Sequence, residues 1–283
     1  MKKQLKYFGI ALITIIALSS CVNLKHVNEF SSTSLESIKY FEEFNYSFNQ
    51  SCIDDCIRNN INNLELDAKK CDCKLEEVAD SLTLKIYGSI YGYFDGLSKL
   101  SDNELTSYKT EDLETALTEG DFGSITIDEK HVESYSKISK IFTRAITDTY
   151  RKNKIKEYVK DANEPVKELI SFLNFNISSN LNGKLDVKKG RVKSDYFDLI
   201  KNNSLSTIEK RNSVREYYSK IAEIESLQKK FNIFSKSLLK ISDGHQKLYD
   251  DIDKLTVTEV RQALFQYASE IKSIISEFKK IEE

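Results

Sequence analysis

The chain has 283 residues and a formal charge of −2, with 42 basic and 44 acidic side chains interspersed along it. The basic residues form no stripe of the kind that binds nucleic acid, so nucleic acid is not an expected partner. One proline, nine glycines and abundant Lys, Glu, Leu and Ile favour helices and argue against a β-sandwich or β-barrel. We therefore predict an all-α protein.

The N-terminus has the layout of a bacterial export signal. Three lysines and no acid precede a mostly apolar run over 7–18, which is too short to span a bilayer because a spanning helix needs roughly 20 residues. The run ends in Leu-Ser-Ser-Cys at 18–21, which resembles the lipobox of bacterial lipoproteins. The resemblance implies that the signal is cut before Cys21 and that the Cys21 thiol is acylated. More than one acyl chain would then hold the protein on a lipid bilayer.

Export and acylation imply a location in the bacterial cell envelope. Residue 22 is Val and not Asp, which favours the outer membrane if the host has two membranes and sorts by that position. Loss of the three signal lysines takes the formal charge from −2 to −5. We predict a cleaved signal at 1–20, a lipidated polar tether at 21–33 and a helical-bundle domain at 34–283.

Helix starts are predicted by Ser/Thr–Glu pairs with capping-box spacing, each followed by an apolar run of helical period. The four pairs are Thr33/Glu36, Thr126/Glu129, Ser206/Glu209 and Thr256/Glu259. The runs after Ser206 and Thr256 repeat at three, four and seven residues, as in coiled-coil seams. They predict an elongated antiparallel bundle of long helices in which the two C-terminal helices pack together.

Other local signals predict where helices begin and end. Pro165, after Asn163, predicts a helix start, because proline is tolerated in a first turn. Asp243-Gly244 predicts a break in the long C-terminal run. The segments 101–124 and 183–192 hold most remaining glycines and are expected to be loops.

Four cysteines besides Cys21 suggest a clipped helical hairpin. Cys52 and Cys56 share a face if their segment is helical, and Cys71 and Cys73 precede the next apolar run. The spacing allows a four-thiolate zinc site, but an exported chain meets an oxidising environment that favours disulfides. A redox-active pair is disfavoured because no two-residue spacing is present. An antiparallel hairpin favours the nested bonds Cys52–Cys73 and Cys56–Cys71, and no metal is expected.

Gly88, Gly92 and Gly96 recur every four residues in an apolar stretch, which on a helix forms a smooth groove. Only nine uncharged residues lie between Lys85 and Asp95, far fewer than a membrane span needs. We therefore expect the groove to pack against a neighbouring helix, or to receive a partner.

Other candidate chemical groups do not form a recognisable site. His26, His131 and His245 are scattered, and Ser89 lies one position early for a nucleophile elbow. The acidic cluster at 250–253 lacks the glycine and terminal glutamate of a calcium loop. We therefore expect no catalytic residue and no cofactor.

The sequence thus favours a non-enzymatic envelope lipoprotein that acts as a helical binding or scaffold module for an envelope protein partner. Three alternatives stay open. The first is a lipoprotein that neutralises a secreted toxin, and the second is a membrane-active protein resembling α-helical pore formers. The third, an unrecognised hydrolase, would need a cleft lined by an acid or base of shifted pKa.

Overall fold

The computed structural model of the protein describes residues 24–65, 71–102, most of 133–141 and 151–281. Most of these residues are helical and none of them lies in a strand, so the predicted all-α class is confirmed. The principal helices are α1 (Lys25–Lys39), α2 (Phe48–Asn62), α3 (Lys74–Ser101), α4 (Arg151–Phe175), α5 (Asn182–Lys201), α6 (Thr207–Asp250) and α7 (Thr258–Lys279). Short 3-10 turns follow α1 at Tyr40–Glu43 and α6 at Ile252–Lys254.

Helix α1 occupies most of the segment that the sequence predicted to be a tether, so that prediction is wrong from residue 24 onwards. Val27, Phe30 and Ile38 repeat at helical spacing and are each at most 1% exposed. Their burial holds the segment in the core. The predicted start at Thr33 is also wrong, because Thr33 lies buried inside α1.

Helices α4 and α5 form one rod, joined by a π-helical segment at Asn176–Leu181. Residues 151–201 are thus continuously helical over about 75 Å. The predicted helix start at Pro165 is wrong, since Pro165 lies inside α4. Val166 and Leu169, one and four residues after it, are fully buried, and this packing offsets the cost of an internal proline. The predicted loop at 183–192 is wrong for the same kind of reason, as Leu185 is buried in the same rod.

Helix α6 begins at the predicted capping box. The Ser206 hydroxyl accepts a hydrogen bond from the Glu209 amide at 3.3 Å, and the Glu209 carboxylate accepts from the Ser206 amide at 2.7 Å. The predicted break at 243–244 is wrong, because α6 continues to Asp250. Helix α7 begins close to the predicted place, but its N-cap is Val257 and no side chain caps it. The Thr126/Glu129 start and most of the 101–124 loop lie outside the described residues.

The helices pack mainly with antiparallel neighbours. Helix α1 lies between α3 and α7, α4 packs on α3 and α6, and α5 packs on α6. The predicted pairing of the two C-terminal helices is confirmed by an ion pair between Lys240 and Glu270 at 2.8 Å. Helices α1 and α7 run parallel, since Glu29 meets Lys272 and Glu36 meets Lys279.

The two ends of α6 give the direction of the long axis of the described bundle. Phe30 of α1 lies beside Gly244, and Phe41 just after α1 lies beside Phe234, so α1 runs antiparallel to α6. The first described residue, Leu24, therefore lies at the Asp250 end. The N-terminus of α6 at Ser206 lies about 60 Å away, given 1.5 Å of rise per residue.

Candidate functional site: a braced helical arm

A two-helix arm extends beyond the bundle at the end opposite Leu24. It consists of α5 and residues 207–223 of α6. Leu185 is the only fully buried residue of α5, and burial on α6 begins only at Ile224. The helices of the arm contact each other through the Tyr196 and Tyr217 rings, whose centroids are 4.8 Å apart. At 1.5 Å per residue, 207–223 carry α6 about 25 Å beyond its buried part.

Two disulfides clip α2 to the start of α3, as the sequence predicted. The bonds join Cys52 to Cys73 and Cys56 to Cys71, with Cα atoms 5.9 and 6.0 Å apart. Cys52 and Cys56 are one helical turn apart on α2, so both thiols face the Cys71–Cys73 segment. This hairpin is confirmed and takes all four thiols into covalent bonds.

Helix α2 braces the arm through ion pairs to α5. Both oxygens of Asp195 accept hydrogen bonds from the Arg58 guanidinium, at 2.8 and 2.9 Å. These hydrogen bonds raise the pKa of Arg58. Lys188 pairs with Asp54 at 2.7 Å, and Arg191 pairs with Asp55. The disulfide-clipped hairpin therefore holds α5 at three points along its length.

Asp80 of α3 fixes the other end of the brace. Its carboxylate accepts from the Phe48 and Asn49 amides at 2.8 and 3.0 Å. These amides belong to the first turn of α2, where backbone N–H groups have no helical partner. Ser47 caps the same end by accepting from the Gln50 amide at 3.2 Å. Helix α2 is thus fixed to α3 by a cap at one end and by disulfides further along.

The arm presents an exposed stripe, here named the outer face, consisting of Ile208, Arg211, Arg215 and Tyr218. Their spacing of three, four and three residues places them on one side of α6, away from the seam with α5. Ile208 is 70% exposed and Tyr218 is 68% exposed. Exposure of two large apolar side chains on one short stripe is a feature of interaction surfaces.

The cations of the outer face differ from those at the base of the arm. Lys188, Lys189 and Arg191 of α5 each pair with a carboxylate. Arg211 and Arg215 have no carboxylate partner within the described residues, and Arg215 makes only a 3.4 Å hydrogen bond to an amide oxygen, that of Asn212. Among the described residues, two guanidinium groups without an ion-pair partner therefore lie between the two exposed apolar side chains.

The three glycines of α3 do not form one uniform groove. Gly92 and Gly96 are buried. At Gly88 a β-carbon would have nothing within 4 Å, so the expected close packing is wrong there. Close approach does occur at Gly244 of α6, where an added β-carbon would lie 2.8 Å from Cζ of Phe30 and also too close to Cε2.

A chain of hydrogen bonds crosses the bundle at the Asp250 end. The Tyr93 hydroxyl lies 2.7 Å from Nε2 of His245, and Nδ1 of His245 lies 3.1 Å from Oδ1 of Asn163. An amide oxygen only accepts, so Nδ1 carries the proton and Nε2 accepts from Tyr93. The Asn163 amide donates to Gln246 at 3.3 Å, and the Gln246 amide donates to Asp250 at 2.9 Å. The hydrogen bonds of this series thus all run in one direction, from Tyr93 to the carboxylate of Asp250 at the surface.

Burial keeps the ring of His245 neutral. His245 is 1% exposed, and loss of water lowers its pKa to about 3. Burial likewise raises the pKa of Tyr93. The hydrogen-bonded series therefore joins neutral groups at ordinary pH, and its buried polar atoms have hydrogen-bond partners inside the core.

The remaining predicted residues lie apart from one another. His26 is buried in α1 instead of lying in a solvated tether, and burial lowers its pKa to about 4. Asp253 pairs with Lys160 at 2.8 Å, and Ser89 donates to a backbone carbonyl of its own helix. Cys21 and His131 lie outside the described residues.

Sequence reasoning missed the brace and the buried chain. Arg58 and Asp195 are 137 residues apart, and Tyr93 and His245 are 152 apart, so no local pattern links either pair. The one available signal was charge, because α2 carries two adjacent aspartates and α5 carries several cations.

Comparison with protein families, characterised proteins and solved structures finds no match to this chain. The described residues contain no cluster of three or more side chains suited to hold a metal ion. In the same part of the chain, no helix has both the length and the apolar character needed to cross a bilayer.

Proposed function

We propose that this protein is a cell-envelope lipoprotein, acylated at Cys21, that holds a helical arm away from the bilayer as a non-enzymatic binding module. The observation that carries the proposal is the braced arm, whose exposed outer face lies at the end of the described bundle opposite Leu24.

The short distance between Cys21 and the folded body supports this orientation. Leu24 is 5% exposed and α1 begins at Lys25. Only Val22 and Asn23 separate Cys21 from Leu24, which limits the reach to about 10 Å even for extended chain. The acyl chains would therefore hold the Asp250 end of the bundle against the membrane surface, and the arm would point outwards.

The ion pairs between α2 and α5 support a role in holding the outer face in a fixed direction, beyond any contribution to the stability of the fold. A two-helix arm with a single fully buried residue on α5 has little apolar burial to fix its direction. Three ion pairs from a disulfide-clipped helix supply rigidity in its place. A rigid surface loses less conformational entropy on binding and therefore binds more tightly.

Metabolic labelling tests the anchor. Cells expressing the full chain are grown with an alkyne-tagged fatty acid, and the purified protein is examined by mass spectrometry for its N-terminal residue. We expect label on a chain that begins at Cys21 and no label on Cys21→Ser. The matched control is Cys56→Ser/Cys71→Ser, which also removes thiols but should retain the label. A native protein that begins at Met1, or label that persists in Cys21→Ser, would overturn the proposal.

Neutron reflectometry tests the orientation. The lipidated protein on a supported bilayer should form a layer about 60 Å thick if α6 stands away from the surface. A layer of about 25 Å, the thickness of two or three packed helices, would mean that the molecule lies flat, and would contradict outward presentation.

A further inference from the structure

We infer that the outer face of the arm is the partner-binding site and that its partner is a protein with an acidic, partly apolar surface. Arg211 and Arg215 would each pair with a carboxylate, and Ile208 and Tyr218 would be covered by apolar side chains. The inference deepens the proposed function and rests on it for the outward direction of the arm.

The charge pattern identifies the chemistry of the partner. The guanidinium groups of Arg211 and Arg215 are exposed and have no carboxylate partner within the described residues, on a chain whose net charge is negative. One helical turn separates them, so two carboxylates one turn apart on a partner helix would match their spacing. Arginine pairs with carboxylates through two parallel hydrogen bonds, which fixes orientation as well as charge.

The side-chain types favour a protein over a polyanionic polymer. Tyrosine and arginine are among the residues most often found at the energetic centre of protein interfaces. Ile208 and Tyr218 would gain nothing from a phosphate or sulfate chain, because such a chain offers no apolar surface to cover them. A polymer site would instead carry more cations along a groove.

The same stripe disfavours a second copy of this chain and a lipid surface. A symmetric contact between two outer faces would bring four guanidinium groups together, and facing like charges are destabilising. A membrane-binding helix keeps its cations on the face opposite its apolar residues. Here the cations lie between Ile208 and Tyr218, so insertion of either apolar side chain would take a guanidinium group with it.

Site-specific photo-crosslinking in intact cells tests the inference. Position 218 of the full, lipidated chain receives a benzophenone amino acid, and position 236 on the exposed side of the same helix receives it as the control. We expect a protein adduct at 218 that is absent at 236, and we expect the adduct to map to an acidic segment of the captured protein. Adducts to lipid, to a polymer or to a second copy of this chain would overturn the inference.

Binding of charge-reversed variants of this protein to the purified partner completes the test. Arg211→Glu/Arg215→Glu should weaken the Kd by about tenfold or more, since close charge pairs at interfaces couple strongly. The matched control, Lys229→Glu/Lys236→Glu, changes the charge of the same helix equally and should leave the Kd within about twofold. Replacement of the contacted acidic residues of the partner by basic ones should restore its binding to Arg211→Glu/Arg215→Glu. Binding that is unchanged in Arg211→Glu/Arg215→Glu would overturn the inference.

The two proposals fail in distinguishable ways. If Cys21 is labelled and adducts form only at 236, the outer face is not the binding site but the anchored binding module stands. If Cys21 is never labelled, the anchor is wrong whatever the crosslinking shows. If no position on the arm or the bundle gives a protein adduct, the binding module itself is wrong.

Discussion

Gly244 on α6 lies directly against the ring of Phe30 on α1. A β-carbon on Gly244 would lie 2.8 Å from Cζ of Phe30 and 3.2 Å from Cγ of Tyr267 on α7. Phe30 is fully buried and also meets the Phe94 ring of α3 edge-on, with centroids 6.1 Å apart, so it has little room to move. The absence of a side chain at this one position lets α1, α6 and α7 approach one another.

Gly244→Ala should therefore destabilise the protein. Alanine favours a helix over glycine by about 1 kcal/mol, but overpacking against a confined ring costs about 1–3 kcal/mol. We expect the second effect to win and the free energy of unfolding in guanidinium chloride to fall. Gly190→Ala is the matched control, because a β-carbon there would have nothing within 4 Å, and it should stabilise by up to about 1 kcal/mol. If both variants stabilise equally, the close contact with Phe30 is not formed.

Removal of the disulfides should lower stability in steps. The bonds span 21 and 15 residues, and loops of this size contribute about 3 kcal/mol each through the unfolded state. Because the bonds are nested, either one alone still closes most of the hairpin. We expect Cys52→Ala/Cys73→Ala to cost about 2 kcal/mol and removal of both bonds about 5 kcal/mol. Peptide mapping of the untreated protein should find no free thiol at the four positions, and free thiols with bound zinc would contradict the assignment.

The features that sequence predicted correctly are those set by short-range rules or by compartment. The capping box at Ser206/Glu209 needs only residues three positions apart. The nested pairing of the cysteines follows from two helices that reverse direction, together with an oxidising environment. Neither feature depends on how the other helices pack.

The errors occur where tertiary packing overrides local propensity. Pro165 and Gly244 are strong helix breakers, yet burial of Val166 and Phe30 beside them keeps both helices continuous. Residues 24–33 are polar enough to suggest a tether, but Val27 and Phe30 are sufficient to dock the helix. The apolar spacing in the sequence predicts the side of α6 that packs in the seam of the arm. It does not predict that the outer face is left uncovered, because that depends on where all neighbouring helices lie.

Arg58→Ala should speed local amide exchange in the arm while changing the global free energy of unfolding only slightly. Both side chains of the Arg58–Asp195 pair are about one-third exposed, so the effect on global unfolding should be about 1 kcal/mol or less. Amide hydrogen exchange near Asp195 in α5 should become faster, because one of its three links to α2 is lost. Arg58→Lys should not restore slow exchange, since an ammonium cannot form both parallel hydrogen bonds.

Lys220→Ala provides the comparison for the brace. Lys220 pairs with Glu216 at 2.9 Å within α6, and both side chains are more than half exposed. Its loss should leave exchange in α5 unchanged. If Arg58→Ala and Lys220→Ala behave alike, the ion pairs between α2 and α5 do not brace the arm.

Acid should destabilise the protein partly through His245. The pKa of this ring is lowered to about 3 in the folded state by burial, against an ordinary value of 6.5. Between these values the unfolded chain binds a proton that the folded chain does not, so stability falls as the pH is lowered from about 7.5 towards 3. From pH 7.5 to pH 5 this one residue should cost about 2 kcal/mol.

His245→Gln isolates this contribution. The glutamine amide offers one donor and one acceptor towards Asn163 and Tyr93 but does not titrate. We expect the variant to be less stable at pH 7.5, yet to lose about 2 kcal/mol less than wild type on going to pH 5, as measured by guanidinium unfolding at both values. His26, whose pKa is also lowered, is present in both proteins and cancels in the difference. An identical pH dependence in the two proteins would mean that His245 does not remain neutral inside the fold.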